Sequence, residues 1–241
     1  MSQPQPPLKY KRILLKLSGQ VLAGTSYHGL DFEVLERICD EIVACAQLGI
    51  QIALVVGGSN FWHSAKDLKN LPDAAPGLDP IHSDQMGLLG TVINALALSD
   101  VLGRKGIDTR VLSAIGIDGL AEPYIKGRAD RHLRKGRVVI IGGGTGNPCF
   151  STDAAAILHA AELKAHVVLI GKSSSVLSAL SAETHRAITY EKLLAEYAGI
   201  LDTTAATLAR DTHTVTLLFS PVPSDNIRRA ANGEVVGTTL Y

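Results

Sequence analysis

Two lysines and two aspartates stand where elements of secondary structure begin or end: Lys16, Lys172, Asp153 and Asp202. Lys16 closes the apolar run RILLKL (Arg12 to Leu17), with Ser18 and Gly19 directly after it. Lys172 follows the strand-like run His166 to Ile170 and Gly171 in the same way. A lysine at a strand end beside a glycine turn either aims its ammonium at a phosphate or snorkels at the surface. Two in the same setting favour the phosphate. In phosphoryl transfer a protein mainly positions the reactants and neutralises charge on the group in transit, which suits lysines. An aspartate can orient those lysines, or a Mg2+ ion that keeps much of its water. No covalent nucleophile is required. There is no GxSxG, and Cys149 has no evident base, so Ser or Cys nucleophilic chemistry lacks comparable support. Each of the four charges alone is more often structural; the combination carries the argument.

The stretch that must position them is Arg137 to Asp153, RVVIIGGGTGNPCFSTD. Val138 to Ile141 reads as a strand buried on both faces. Gly142, Gly143, Gly144 and Gly146 then allow positive φ and close approach of a ligand to the backbone. Thr145, Asn147, Ser151 and Thr152 add short polar side chains. Asp153 is expected to cap a helix running AAAILHAAEL. Strand, glycine turn, polar loop and helix start together make an anion site. The plainer alternative is a tight turn with ordinary capping. The loop is neither a Walker A sequence nor a clean Rossmann fingerprint.

The remaining elements follow from pattern. Asp31 to Leu48 reads as a helix with Leu35, Ile38, Ile42 and Cys45 in a stripe, stopped by Gly49. Ile50 to Val56 is a buried strand opening into Gly57, Gly58, Ser59 and Asn60. Two strands with glycine-rich carboxyl ends suit a doubly wound sheet, whose ligands bind outside those ends. Phe61 to His82 is expected to be an irregular, lid-like excursion. His63, near its start, either touches an anionic ligand or is a surface histidine. A long helix is expected from Asp84, with Met86, Leu89, Ile93, Leu96 and Leu102 inward; Asp84 is a cap or faces the cleft. Strands are expected at Thr109 to Leu112, Thr214 to Phe219 and Thr238 to Tyr241. The basic cluster Arg128, Arg131, Arg134, Lys135 and Arg137 reads as a solvated helix face. Short helices are expected over Tyr190 to Tyr197, Thr203 to Arg210 and Asp225 to Asn232.

Composition narrows the partners. The chain has 241 residues, 46% hydrophobic and only 5% aromatic, which suits an aliphatic α/β core. Lys+Arg and Asp+Glu both number 23, so nothing argues for a nucleic-acid surface. Cys39, Cys45 and Cys149 form no CxxC, so neither disulfides nor a protein-held metal is expected, and a reducing, cytoplasmic setting is. No run suggests a signal peptide or a membrane span. Residues 1–10, polar and proline-rich, are expected to be a flexible leader, and 11–241 a single domain.

The segments YKRILLKLSG, VVGGSN, SDQMGLLGTVINALAL, GTGNPCFSTDAAA, LDTTAATLARD and GEVVGTTL together resemble the bacterial uridylate (UMP) kinases of the amino acid kinase superfamily. They span almost the whole chain in the family's order. The resemblance implies a three-layer αβα sandwich around a mainly parallel sheet, with an acceptor-binding part over roughly 11–163 and a donor-binding part over 164–241. It implies a homohexamer that transfers phosphate from ATP, with Mg2+ as cofactor, to UMP, under control of GTP and UTP as effectors. By position, Lys16 and Lys172 would hold the transferring phosphate, and Asp153 and Asp202 would orient the lysines and magnesium. Gly57 and Gly58 would bind the acceptor phosphate through backbone N–H groups. Asp84 would accept the ribose hydroxyls, and Thr145, Gly146, Asn147 and Thr152 would contact UMP. Ser18, Gly19, Gly171, Lys172 and Leu177 fall at the donor side.

Several positions depart from the family's pattern. His63 stands where a family arginine grips the acceptor phosphate. A permanently charged bidentate donor is thereby replaced by a weaker one. A charge-assisted bond contributes about 1.5–3 kcal/mol, so the change corresponds to roughly one to two orders of magnitude in UMP affinity. The family's Lys-Val-Asp-Gly-Val-Tyr…Asp-Pro is here Lys172-Ser173-Ser174-Ser175-Val176-Leu177, then Leu180-Ser181. Leu177 replaces the aromatic beside adenine and Leu180 the aspartate near the donor ribose. Gln20 replaces a glutamate, and the segment between Asn60 and Asp84 is longer than usual. These changes leave open two alternatives to a UMP kinase: a paralogue with another small acceptor, and a non-catalytic nucleotide- or anion-binding protein on the same scaffold.

Overall fold

Arg12–Leu17 (β1) is apolar on both faces because it lies mid-sheet. Its residues alternate between two apolar layers, as the two-residue period of a strand requires. Ile13, Leu15 and Leu17 enter one layer, Leu14 the other. The computed structural model describes residues 8–26, 28–63, 78–180 and 187–241. Residues 1–7 of the expected leader, 64–77 of the expected irregular excursion and 181–186 of the serine-rich stretch lie outside these.

The other strands are Gln51–Val56 (β2), Thr109–Ser113 (β3), Glu122–Pro123 (β4), Val138–Gly142 (β5), Val167–Gly171 (β6), Ala187–Ile188 (β7), Thr216–Phe219 (β8) and Gly237–Leu240 (β9). They form one sheet in the order β4-β3-β5-β2-β1-β6-β8-β9-β7. The pairs from β4 through to β8 are parallel; β9 runs antiparallel to β8. The chain returns to the sheet on opposite sides of β1, next to β2 and to β6. The crevice outside the carboxyl end of β1 is therefore the switch point where such sheets bind ligands.

Helices cover both faces. Phe32–Gln47 (α2), Pro80–Arg104 (α3) and Asn226–Ala231 (α9) enclose one apolar layer. Lys126–Arg134 (α4), Thr152–Leu163 (α5), Tyr190–Glu196 (α7) and Thr203–Asp211 (α8) enclose the other. Two single turns, Gly19–Leu22 (α1) and Ser174–Leu177 (α6), follow β1 and β6. The mixed α/β fold with a mostly parallel sheet is the one expected. The short strands β4 and β7 and the turn α1 were not; two to four residues carry too little periodicity to read.

Two helix starts differ from expectation. α3 begins at Pro80, not Asp84. Asp79 caps it, accepting from Ile81 N at 2.6 Å and His82 N at 3.4 Å, with proline in the first turn. Leu88, Val92, Ala95, Leu98 and Leu102 face the sheet, while Met86, Leu89 and Ile93 are exposed. This helix carries two aliphatic stripes of the same period; the pattern selected the outer one for Met86, Leu89 and Ile93, whereas Leu102 is buried as expected. α5 is capped by Ser151, whose hydroxyl accepts from Ala154 N at 3.1 Å. Asp153 lies inside the first turn and its carboxylate is free for another task.

Candidate active site

β1 brings Lys16 to the same sheet face as Leu14, the face on which α5 packs. Asp153, in the first turn of α5, meets it there: Lys16 Nζ lies 2.6 Å from Asp153 Oδ1. Lys172, directly after β6, donates to Asp153 Oδ2 at 2.5 Å. One buried carboxylate thus holds two ammoniums from adjacent strands. Burial by itself would raise the Asp153 carboxyl, but Lys16, then Lys172, overrule it and hold it down at about 2. Burial pushes the Lys172 ammonium down, against the attraction of Asp153. The cluster carries one net positive charge on the floor of a crevice, the electrostatics required to receive a polyanion.

Asp202 caps α8, accepting from Ala205 N at 2.9 Å. Its charge still reaches Lys172 and supports the protonated lysine. It does not line the cleft.

Above the cluster opens a cleft of about 830 Å3, lined by Lys16, Ser18, Gly57, Gly58, His63, Asp84, Asn147, Thr152, Asp153 and Lys172 among others. That volume lies in the upper part of the range for small-molecule sites, roughly 300–1,000 Å3. Ten of the expected site residues therefore converge. Thr145, Gly146, Gly19, Gly171, Asp202 and Leu177 are not in its wall. Gly19 and Gly171 serve backbone packing instead. A Cβ on Gly19 would lie 2.8 Å from Ser59 N, and one on Gly171 3.0 Å from the Pro221 ring. Leu177 turns to the apolar layer and Leu180 is buried within it. Apolar side chains take the lower-energy side of that turn, so the expected placement of Leu177 at the donor is corrected.

The glycines after β2 have two masters. Gly57 and Gly58 line the cleft, yet a Cβ on Gly58 would meet Gly87 O of α3 at 2.3 Å. Asn60, expected to be part of a binding loop, is buried. It forms a reciprocal amide pair with Asn94 of α3: Asn60 Nδ2 donates to Asn94 Oδ1 at 3.0 Å, and Asn94 Nδ2 to Asn60 Oδ1 at 2.7 Å. Asn94 Nδ2 also donates to Gly57 O at 2.6 Å. The pair fixes the height of the β2 loop above the sheet.

The loop after β5 is held at two further points. Gly143, at φ +77°, donates to Thr91 Oγ1 at 2.7 Å. Asp84 Oδ2 accepts from Cys149 N at 2.8 Å, so Asp84 both lines the cleft and grips the loop. Trp62, Arg37, Phe150 and Val222 also line the cleft and were not legible as site residues. Arg37 is held by Pro221 O at 3.1 Å, a contact between chain segments far apart in sequence. No group of three His, Cys, Asp or Glu suited to a metal occurs among the described residues.

Comparison with known proteins accords with this geometry. The model of the amino acid kinase family matches residues 11–218. The solved UMP kinase of Bacillus anthracis is 34% identical, with a TM-score of 0.86 over 96% of both chains. The UMP kinase of Ureaplasma parvum is 28% identical, with a TM-score of 0.83 over 95% of this chain and 98% of that one. The uridylate kinase of Archaeoglobus fulgidus is 25% identical, with a TM-score of 0.70 over 95% of this chain and 99% of that one. Sheet, cleft and neighbours define a phosphotransferase. The chain belongs to the amino acid kinase family.

Proposed function

We propose that the protein transfers the γ-phosphoryl group of Mg·ATP to UMP, giving UDP and ADP. The observation that carries this reading is the Lys16–Asp153–Lys172 cluster on the floor of a cleft bounded by the β2 and β5 loops. A UMP phosphate oxygen attacks the γ-phosphorus; the new O–P bond forms as the bond to the β-bridging oxygen breaks, and the electron pair leaves with ADP. The attacking oxygen belongs to a phosphate whose second pKa is about 6, so no general base is needed. Lys16 and Lys172 neutralise the equatorial oxygens, and Asp153 holds both ammoniums together on the cleft floor. Asp202 sustains the charge of Lys172. Both Asp153 oxygens are already taken by lysines, so Mg2+ would be held by the nucleotide's phosphates and water, supplying charge neutralisation on the donor. Gly57, Gly58, His63 and Asp84 receive the acceptor, with Asn147 and Thr152, and Ser18 lies at the donor side; Thr145 and Gly146 support the acceptor loop from behind the wall, and Gly19 and Gly171 allow the close backbone packing beneath the donor side.

The acceptor and donor assignments rest on position in the family, as do hexameric assembly, effector control by GTP or UTP, and a cytoplasmic setting. A second reading, a relative with another small acceptor or donor, is favoured by His63 in the cleft wall and by the apolar burial of Leu177 and Leu180. Calorimetry with UMP and with Mg·ATP, followed by an ADP-release assay on the same sample, separates them. Binding of both with turnover supports the UMP kinase. UMP binding without ATP binding points to a different donor or a sensor. Binding of neither rejects the proposal.

A further inference from the structure

Beneath the β5 loop lies a polar cluster that the reaction above does not use. His159, on α5 two turns beyond Asp153, is buried. Its Nε2 lies 3.0 Å from Gly144 O and its Nδ1 3.1 Å from Glu162 Oε2. The same Glu162 oxygen accepts from the Tyr124 hydroxyl at 2.7 Å. The Tyr124 ring stacks on the imidazole at 4.3 Å between centroids, tilted by 52°. Burial, then the hydrogen bond to Glu162, pushes the Tyr124 phenol up, so it keeps the proton it donates.

The partners of His159 dictate its state. A backbone carbonyl only accepts, and so does a carboxylate already receiving a tyrosine proton. Satisfying both contacts requires a proton on each ring nitrogen. The imidazolium is then neutralised by Glu162 and anchored by the tyrosine. Its effect on the loop follows from peptide planarity. In a trans peptide the C=O and the next N–H point in opposite directions. With Gly144 O drawn inward to His159, Thr145 N–H is turned outward, and it has no partner among the described residues. Gly144, at φ +57°, lacks the Cβ that would otherwise fix this peptide, so the orientation has to be imposed from outside.

We propose that His159 is a positioning residue for the acceptor loop: paired with Glu162 and Tyr124, it sets the Gly144–Thr145 peptide, and through the Thr145–Asn147 hydrogen bonds the placement of Asn147 in the cleft wall. This rests on the acceptor assignment above, and the test is arranged so that the two fail separately. The full chain is compared with His159→Gln, which retains an N–H for Gly144 O, and with His159→Leu, which does not. Without ligand, the backbone amides of Thr145 and Gly146 shift and exchange faster in His159→Leu and return toward wild type in His159→Gln. A side-chain 15N spectrum of the wild type shows both His159 nitrogens protonated. With UMP as the varied substrate, His159→Leu raises KM about tenfold while kcat stays within about threefold, the pattern of a lost ground-state contact. His159→Gln recovers most of it. Unchanged loop amides in His159→Leu overturn the proposal, as does a bare ring nitrogen, or a glutamine variant as impaired as the leucine one. Should His159→Leu fail to fold, the glutamine variant and the ring spectrum still decide. A wild type that neither binds nor turns over UMP overturns the acceptor reading alone, because the amides are read without it.

Discussion

Asp153 is shared between two ammoniums, and that sharing sets what its loss does. In Asp153→Asn the two lysines face one another with no counter-ion in a buried site. Breaking a buried pair in this way costs about 3–5 kcal/mol, and a urea melt is expected to show a loss of that order together with loss of turnover. Lys172→Met removes one of two like charges and leaves Lys16 paired with Asp153. It is expected to cost clearly less stability in the same melt, yet to abolish turnover as fully. Equal stability losses in the two variants would refute the shared-carboxylate account. The pH dependence has a defined sign. The folded-state pKa of Asp153 is depressed to about 2, so its stabilisation is complete above the ordinary carboxylate range near 4 and is lost as pH falls through that window toward 2. Melts between pH 5 and 2 should fall more steeply for the wild type than for Asp153→Asn. The residue types at this centre were legible because lysine after an apolar run is unusual. That both lysines share one aspartate was not, since Lys16 and Asp153 stand far apart in the chain and only the alternation of β1 puts them on one face.

Among elements, the contact of the β2 loop with α3 governs where the acceptor side of the cleft stands. It is built from two glycines at van der Waals limits and one amide pair. Gly58→Ala drives a Cβ against Gly87 O of α3, and overpacking of this kind costs typically about 1–3 kcal/mol. Asn94→Leu leaves Asn60 Oδ1 and Gly57 O without their donor in a buried place, while Asn60 Nδ2 keeps Gly29 O, at about 1–3 kcal/mol for each orphaned group. Both variants should lower the thermal midpoint and weaken UMP binding in calorimetry, with Mg·ATP binding little changed. Equal weakening of both nucleotides would show that the loop serves the whole cleft. The sequence marked this loop as special through its glycines but could not say why. Gly58 answers to a helix as well as to a ligand, and Asn60 is a strut rather than a ligand group. Composition does not distinguish a glycine needed for a phosphate from one needed for a neighbouring backbone.

For the molecule as a whole, the outer face of α3 exposes aliphatic side chains to solvent. Met86, Leu89 and Ile93 recur at helical spacing and are exposed, while the inner face of the same helix is fully covered. By length and mean hydropathy, 1.5 over eighteen residues, this helix would suffice to cross a membrane. Half of that window is instead buried in the fold. Among the described residues nothing covers this stripe; an exposed aliphatic stripe at helical spacing is a common mark of a subunit contact, and a helix related to its own copy by a two-fold axis matches such a stripe to itself. This is where hydrophobic periodicity ceases to be informative, because core and interface impose the same 3.6-residue repeat. Sedimentation velocity on the full chain is therefore expected to show an oligomer. The double variant Leu89→Glu/Ile93→Glu should sediment as a smaller species, because four carboxylates would meet in each two-fold contact. Its circular dichroism should remain that of the folded chain, since neither side chain contributes to the apolar layers. An unchanged sedimentation coefficient would remove α3 from the interface. A smaller species that retains turnover would show that each cleft is complete within one chain.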